Sequence, residues 1–445
     1  MSTLNDPAFF AAASARLALW RPFEESGRVR SVVGLLVEVS GLRAALGAFC
    51  VIDTAVGDGV LEGEVVGLRE GIALVMPFGD LRGVRVGAAV RLQSDVEQVP
   101  TGIGCLGRVL DALGRPIDGK GPLVGVSWRG IEGAPIGTVQ RSRIARPLDL
   151  GLRALNTFAT VGRGMRIGIF AGSGVGKSTL LGQLASQADV DVSVIGLIGE
   201  RRREVREFIE RDLGDALARS VVVVSTSDEP ATLRTRGARV ATAIAEGFRD
   251  GGSDVLLMMD SLTRFCTAQR EIGLATGEPP TTRGYTPSVW SQLPKLVERA
   301  GTSEGQGSIT GLYTILVEGD DMNEPVADAA RSLLDGHIEL SRRIAEKGRF
   351  PAVDVLASVS RVMPDVTSAE HQALAREARQ VLATYRDAED LIMVGAYVDG
   401  SDPAVDRARR LQPKLQSFLD QPRGELCSLE DAVARLRTLL RGGKA

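Results

Sequence analysis

The chain has 445 residues, of which 44% are hydrophobic and 24% are charged, and its formal net charge is −3. This composition excludes a disordered or fibrous chain and predicts a folded protein of about two to four domains. The small net charge argues against general affinity for nucleic acid, so such affinity would need a local basic patch.

The spacing of the cysteines and the lack of long apolar runs indicate the cellular compartment. Cys50, Cys105, Cys266 and Cys427 are far apart and lack metal-ligand spacing, which predicts buried, reduced thiols in a cytosolic protein. The first residues lack the basic and apolar regions of a secretion signal, and no run of about 18 apolar residues occurs. We therefore expect neither secretion nor a membrane span.

The N-terminal part predicts a helix followed by strands. Asp6 can cap a helix that has Pro7 in its first turn, and Phe10, Leu17 and Trp20 recur at helical spacing. Residues 1–24 are therefore predicted to form an amphipathic helix. Over residues 25–95, short Val-rich runs are separated by glycines, which is typical of a small β-barrel.

The remaining chain predicts an α/β domain and then helices. Over residues 96–362, continuously apolar runs such as MRIGIF, VSVIGLI, SVVVVS and DVLLMM alternate with helical stretches. This pattern is typical of a parallel sheet covered by helices on both faces. Over residues 363–445, Thr367 and Glu370 have capping-box spacing, and Leu374, Val381 and Leu382 share a face, which predicts a helical domain.

The segment GIFAGSGVGKSTLLG, Gly168–Gly182, places glycines between a buried strand and a helix, where phosphates bind. It matches the pattern G-x-x-x-x-G-K-[ST] except that Ala171 replaces the first glycine. Lys177 would neutralise β- and γ-phosphate oxygens, and Ser178 could bind Mg²⁺. The predicted nucleotide contacts are Gly172, Ser173, Gly174, Val175, Gly176, Lys177, Ser178 and Thr179.

Two carboxylates follow other predicted strands. Asp260 ends DVLLMMD, where it could hold Mg²⁺ beside a phosphate loop or simply cap the next helix. Glu200 ends VIGLIGE, where it could orient an attacking water or only pair with one of the arginines at 201–203.

The stretch RFPAVDVLASVSR offers an aromatic ring and a cation. Phe350 precedes Pro351 and could present its ring to adenine, and Arg361 stands alone after small residues. By themselves these are weak signals, because an aromatic before proline is more often core and a lone arginine more often forms a surface ion pair.

Several motifs together resemble one family. GSGVGKST, IGERRREV, LLMMDSLTRF, PAVDVLASVS and LGRVLDALGRPIDGKG resemble the rotary ATPases, which include the F-type and V-type subunits and the type III secretion ATPases. Within that family, TAQREIGLATGEPPTTRGYTPSVW, LVEGDDMNEPVAD and VGAYVDGSDPAVDRA look most like the flagellum-specific export branch. The resemblance extends from about residue 27 to 421.

The resemblance implies a fold and a set of roles. The fold is a P-loop, RecA-like α/β core with a parallel sheet, preceded by a small β-barrel and followed by a helical domain. The implied roles are phosphate and Mg²⁺ binding by Lys177 and Ser178, metal binding by Asp260, water positioning by Glu200, γ-phosphate support by Arg201, adenine binding by Phe350 and Pro351, and a finger across a subunit interface by Arg361. Arg202 departs from the export ATPases, which usually have a small residue there, and an extra cation could perturb Glu200.

The resemblance also implies partners. We expect ATP and Mg²⁺ as ligands and a homohexameric ring, with a dimeric negative regulator on the N-terminal helix and a central coiled-coil stalk on the loop Arg283–Pro287. Further expected partners are the export gate, export substrates and their chaperones. The expected place is the cytoplasm, peripheral to the inner membrane at the export apparatus.

Four other functions fit parts of the same pattern. A hexameric RNA translocase would need a basic groove and stacking rings, whereas residues 28–95 hold seven basic and eight acidic residues and only Phe49 and Phe78 as aromatics, so we expect no nucleic-acid partner. A non-hydrolysing subunit usually lacks the equivalent of Glu200, and a catalytic synthase subunit normally leaves the finger to its partner. The ATPase of a virulence injectisome would share all these residues, and the flagellar motifs favour motility.

Overall fold

The computed structural model describes residues 25–56, 59–94, 98–133, 136–137, 141–305, 307–317, 319 and 321–442. The amphipathic helix predicted for residues 1–24 lies outside the described residues. The described chain forms two compact units that divide between residues 97 and 98. Within the described part of the chain, no helix combines the length and the apolar content needed to cross a bilayer.

The first unit is a closed β-barrel, as predicted. Its strands run in the order β1-β2-β5-β4-β3-β6, and β1 also pairs with β6, which closes the ring. Alternate side chains such as Cys50 and Ile52 point into the barrel core. The strands are β1 Ser26–Val33, β2 Leu36–Ser40, β3 Phe49–Asp53, β4 Val60–Arg69, β5 Ile72–Pro77 and β6 Ala89–Ser94.

The two aromatic residues between positions 28 and 95 contact each other. The ring centroids of Phe49 and Phe78 are 5.5 Å apart at an interplanar angle of 44°. Each ring is half-buried, and the pair is tilted rather than stacked.

The second unit contains the large sheet. Its strand order is β19-β18-β12-β17-β15-β13-β14-β8, with the short β16 beside β17, and the strands from β18 to β8 are parallel. The strands are β7 Gln98–Thr101, β8 Arg108–Asp111, β9 Ser127–Gly130, β10 Pro147–Leu148, β11 Val161–Gly162, β12 Arg166–Ala171, β13 Val192–Glu200, β14 Ser220–Thr226, β15 Asp254–Asp260, β16 Gly301–Thr302, β17 Ser308–Leu316, β18 Gly336–Leu340 and β19 Val359–Ser360.

Helices connect these strands and form the C-terminal part. They are α1 Arg153–Phe158, α2 Lys177–Gln187, α3 Arg202–Glu207, α4 Ala231–Asp250, α5 Leu262–Ala275, α6 Pro287–Val297, α7 Pro325–Leu333, α8 Arg342–Glu346, α9 Met363–Val366, α10 Ala369–Met393, α11 Pro403–Leu419 and α12 Leu429–Arg441. A π-helical turn at Phe208–Leu213 and 3₁₀ turns at Ile103–Cys105, Gly214–Arg219 and Thr282–Gly284 complete the set.

Both faces of the sheet are buried, which explains the continuously apolar strands. Along β15, Leu256 and Met258 join the core on the side of α2 and the C-terminal helices. Leu257 and Met259 join the core on the side of α4, α5 and α6. Because neighbouring residues of a strand point to opposite faces, a strand buried on both faces needs apolar residues at every position.

Two predicted helix starts are placed differently by the structure. The cap of α10 is Ser368, whose hydroxyl accepts a hydrogen bond from the His371 amide, whereas the Thr367 hydroxyl donates to the Met363 carbonyl. The capping box predicted at Thr367 is therefore wrong by one residue. The cap of α5 is Ser261 rather than Asp260, so that carboxylate is free of the capping role.

The four cysteines are free and buried, as predicted. Burial raises the pKa of the Cys50 thiol to about 12 and that of Cys105 to about 11. Such thiols stay protonated at neutral pH and are poor nucleophiles.

A buried carboxylate pairs with arginines from two other segments of the second unit. Glu246, on α4, accepts two hydrogen bonds from Arg299, at 2.9 and 2.8 Å, and lies 3.3 Å from the guanidinium of Arg129 on β9. We expect Glu246→Gln to lower the free energy of unfolding by about 3 kcal/mol, because it leaves the buried Arg299 guanidinium without a counter-charge. Urea-induced unfolding followed by circular dichroism measures this change.

The matched control is the same substitution at an exposed ion pair. Glu210 pairs with Arg206 at 2.8 Å on the surface, so Glu210→Gln should change stability by no more than about 0.5 kcal/mol. Equal effects of the two substitutions would contradict the role given to Glu246.

Candidate functional site

The glycine-rich turn lies between β12 and α2, at the carboxyl edge of the sheet. Gly174 and Gly176 have φ angles of 78° and 89°, a backbone conformation that favours glycine. Val175 is buried and anchors the turn, while Ser173 and Ser178 are exposed. Glycine at these positions lets the backbone amides at the start of α2 face a ligand.

Three charged side chains meet beside this turn. The Lys177 ammonium lies 2.6 Å from Oδ1 of Asp260 and 3.5 Å from Oε1 of Glu200, and all three side chains are largely buried. The sheet order explains the meeting, since β12, β17, β15 and β13 are successive neighbours and their carboxyl ends share one edge. The three sequence-predicted strand-end residues are thus brought together.

Burial and neighbouring charge shift the ionisation of this cluster. Burial, followed by the charge of Asp260, raises the pKa of Glu200 to about 7, although the Lys177 ammonium partly opposes the rise. Burial works against the charge of Lys177, but the two carboxylates outweigh it and raise the pKa of the ammonium. The cluster therefore holds a permanent cation and a carboxylate that can exchange a proton near neutral pH.

One residue of this cluster was missed by sequence reasoning. The hydroxyl of Thr314, on β17, donates a 2.7 Å hydrogen bond to Oδ1 of Asp260, the same oxygen that Lys177 contacts. Both bonds fix the carboxylate and leave Oδ2 as its second acceptor. The only signal in the sequence was a hydroxyl residue near the end of an otherwise apolar run.

The arginines after β13 pair away from Glu200. Arg201 is 80% exposed and pairs with Glu204 at 3.3 Å, Arg202 pairs with Asp228 at 2.8 Å, and Arg203 pairs with Glu207 at 2.8 Å. The interpretation that Glu200 only pairs with a nearby arginine is therefore wrong. The charge of Arg202 is neutralised by Asp228, which weakens the perturbation expected from this residue.

An apolar cavity adjoins the turn. Its volume is about 410 Å³, and Phe350, with 45% of its surface exposed, lies over Gly176, where a Cβ would be 3.4 Å from the ring. The predicted residues Thr179 and Pro351 line it as well. The full lining is Val175, Gly176, Thr179, Leu180, Gln183, Leu340, Phe350, Pro351, Ala352, Asp420, Gln421, Pro422 and Arg423.

The backbone of Phe350 is held by the chain that follows α11. Its amide donates to Oδ1 of Asp420 at 3.2 Å, and its carbonyl accepts from the Gln421 amide at 2.9 Å. These two residues were also missed, because nothing in the sequence LDQP links it to a segment 70 positions earlier.

Arg361 lies on the surface, just after β19. Its guanidinium donates to the Arg331 carbonyl at 3.3 Å, and its backbone amide donates to the Asp335 carbonyl. The structure thus groups Lys177, Glu200 and Asp260, and presents Arg361 on an exposed face.

In the described part of the chain, no group of three or more His, Cys, Asp or Glu side chains could hold a metal ion by itself. Two oxygen groups beside the turn suit a metal ion, the hydroxyl of Ser178 and the carboxylate of Asp260. This sparse set suits a hard cation such as Mg²⁺, which is usually bound by one or two protein oxygens together with phosphates and water.

Family models match three parts of the chain. The ATP synthase alpha/beta family, nucleotide-binding domain, matches residues 151–360, and the beta-barrel domain of the same family matches residues 29–92. The T3SS EscN ATPase C-terminal domain matches residues 367–438.

Relatives and a solved structure agree with these models. The chain is 49% identical to the flagellum-specific ATP synthase of Bacillus subtilis, over 94% of this chain and 95% of that protein. It is 51% identical to the flagellum-specific ATP synthase of Pseudomonas aeruginosa, over 94% of each. It is 47% identical to the type 3 secretion system ATPase of Xanthomonas euvesicatoria, over 96% of each.

The solved structure is that of the assembled ATPase EscN in complex with its central stalk EscO, from enteropathogenic E. coli. It superposes with a TM-score of 0.85 at 41% identity, over 93% of this chain and 100% of that one. The chain therefore belongs to the ATP synthase alpha/beta family, among the flagellum-specific and type 3 secretion system ATPases, and is an ATPase.

Proposed function

We propose that this chain hydrolyses Mg²⁺-ATP to ADP and phosphate and that the reaction energises protein export by the flagellar type III apparatus. The observation that carries the proposal is the contact of Lys177 with Asp260 and Glu200 beside the glycine-rich turn. A cation, a metal-binding carboxylate and a second carboxylate at one sheet edge are the groups that phosphoryl transfer to water requires.

The turn would bind the phosphates. Backbone amides of residues 172–176 face the polyphosphate, and the Lys177 ammonium exchanges its carboxylate contacts for phosphate oxygens. Ser178 and Asp260 would hold Mg²⁺, which supplies positive charge against the phosphate oxygens when it is bound. Thr314 keeps the Asp260 carboxylate oriented through its hydrogen bond to Oδ1.

Glu200 would orient the attacking water and accept its proton. Once Lys177 turns to the phosphates, Glu200 keeps a buried position next to the reacting group, and burial holds the pKa of its carboxyl above the ordinary value, which favours proton acceptance. Arg201 would support the γ-phosphate after leaving its surface pair with Glu204. Phe350 and Pro351 would hold adenine in the cavity over Gly176.

Arg361 would complete the active site of a neighbouring copy. Its exposed position, separate from the Lys177 cluster, is the arrangement expected of a cation that acts across an interface. We infer a homohexameric ring with one site at each interface. The similar ATPase EscN, whose solved structure is of an assembled form, supports the assembly.

The setting of the reaction follows from the relatives. Two relatives named flagellum-specific ATP synthase are 49% and 51% identical, and the type 3 secretion system ATPase is 47% identical, so the flagellar role is proposed before the injectisome role. The expected partners are a regulator on residues 1–24, the export gate, and export substrates with their chaperones. We place the ring in the cytoplasm, peripheral to the inner membrane.

Two substitutions separate nucleotide binding from hydrolysis. We expect Lys177→Ala to abolish nucleotide binding and turnover, and Glu200→Gln to keep binding while lowering kcat at least about 100-fold. Phosphate release and calorimetric titration with ATP analogues measure the two effects. Lys120→Ala and Glu207→Gln, at exposed residues, are the controls. Normal turnover of Glu200→Gln would contradict the catalytic role of Glu200.

The finger is tested by mixing inactive variants. Loss of an arginine finger costs about 10³- to 10⁵-fold in rate, so Arg361→Ala should be nearly inactive. Mixed with Glu200→Gln, it should regain activity, because some interfaces then pair an intact Glu200 with an intact Arg361. Mixing Lys177→Ala with Glu200→Gln should give no recovery, since both residues act from one subunit. Full activity in a proven monomer would refute the trans arrangement.

The stalk contact is tested by crosslinking. In the loop Arg283–Pro287, Arg283 and Pro287 are exposed, whereas Tyr285 and Thr286 are buried. Photo-crosslinkers at 283 and 287 should therefore capture a coiled-coil stalk in cells, while one at Arg82 in the barrel should not. Crosslinks from 283 and 287 to proteins at the outer rim alone would count against the contact.

A further inference from the structure

Arg153, the first residue of α1, is 5% exposed and holds the chain that follows α11. Its Nε donates to the Phe418 carbonyl at 2.7 Å, its Nη2 donates to the Asp420 carbonyl at 2.8 Å, and its Nη1 contacts the Glu425 carboxylate. A planar guanidinium is suited to three such acceptors at once, and a cation at a helix C-terminus also interacts favourably with the helix dipole.

Gln421 provides a second tie at the same place. Its Nε2 donates to the Gly151 carbonyl at 2.8 Å, and its Oε1 accepts from the Arg153 amide at 2.8 Å. Gln421 is 2% exposed, so these bonds are shielded from water. The segment after α11 is thus fixed to the start of α1 through both side chain and backbone.

The same segment fixes the aromatic side of the cavity beside the glycine-rich turn. Asp420 and Gln421 hold the amide and the carbonyl of Phe350. Residues 420–423 also form part of the cavity wall. Arg153 itself is absent from that wall, so any effect it has on a ligand is transmitted through these residues.

We propose that Arg153 is a positioning residue that sets the affinity and the base selectivity of the adenine pocket. The proposal rests on the proposed function, which places adenine against Phe350. By fixing residues 420 and 421, Arg153 fixes both the ring that stacks on the base and the wall that faces it. The phosphate and water-activating groups lie on other elements, so the chemical step is left unchanged.

The test is Arg153→Lys, which keeps the charge but cannot reach two carbonyls and a carboxylate in the same geometry. We expect KM for ATP to rise about tenfold with kcat within about twofold of the wild type. The preference for ATP over GTP should fall. Arg435→Lys is the matched control, because Arg435 also pairs with Glu425, at 3.3 Å, but is 55% exposed and should leave all these values unchanged.

A second variant keeps the test decisive if Arg153→Lys fails to fold. Glu425→Gln removes the carboxylate that Arg153 contacts, lies outside the cavity wall, and should shift KM and selectivity in the same direction. A lowered melting temperature with unchanged KM and unchanged ATP-to-GTP ratio in the folded variants would show a purely structural role and overturn the proposal.

The proposal and the proposed function fail in different ways. Calorimetric titration of the full chain with ADP and with GDP measures base selectivity without any turnover. If the wild type binds ADP selectively but does not hydrolyse ATP, the proposed reaction fails, and loss of that selectivity in Arg153→Lys still supports the positioning role. If the wild type shows no preference for ADP, the positioning role is overturned.

Discussion

The contact between the Lys177 ammonium and the carboxylates of Asp260 and Glu200 is the constraint on which the rest of the active-site region depends. Three charges taken out of water are costly unless they pair, so the elements that carry them must meet within hydrogen-bonding distance. They do so because β12, β15 and β13 end at one edge of a parallel sheet. The fully apolar strands behind them keep that edge in register.

Much of this edge could be predicted from the sequence because its signals are local. A glycine-rich turn between a strand and a helix can be predicted from a few residues around Lys177. Carboxylates at the ends of apolar strands can be predicted in the same way at Glu200 and Asp260. In a parallel sheet the carboxyl ends of the strands lie at one edge, so these residues are expected to lie close together. The barrel could be predicted for the same reason, since the alternation of side chains in a short strand is visible within a few consecutive residues.

What the sequence could not provide were contacts between distant segments. Asp420 and Gln421 hold Phe350 across 70 positions, and Arg153 reaches the chain after α11 across more than 260. No spacing rule links such residues, because their meeting depends on how the C-terminal helices pack. The misplaced cap at Thr367 has a different cause: Thr367 and Ser368 are adjacent capping residues, and only the backbone geometry selects Ser368.

The closed barrel has a consequence for how copies of this chain can lie side by side. Because β1 pairs with both β2 and β6, each of the six described barrel strands has a hydrogen-bonded neighbour on both sides, so the described barrel has no open edge strand to pair with another chain. Identical barrels can then be crowded together at high local concentration without fusing into a continuous sheet. Contacts between barrels are then made by surface side chains, which can be substituted without disturbing the backbone hydrogen bonds between the strands. Surface substitutions that change what the barrel binds can therefore leave its backbone hydrogen bonds, and so its folding, unchanged.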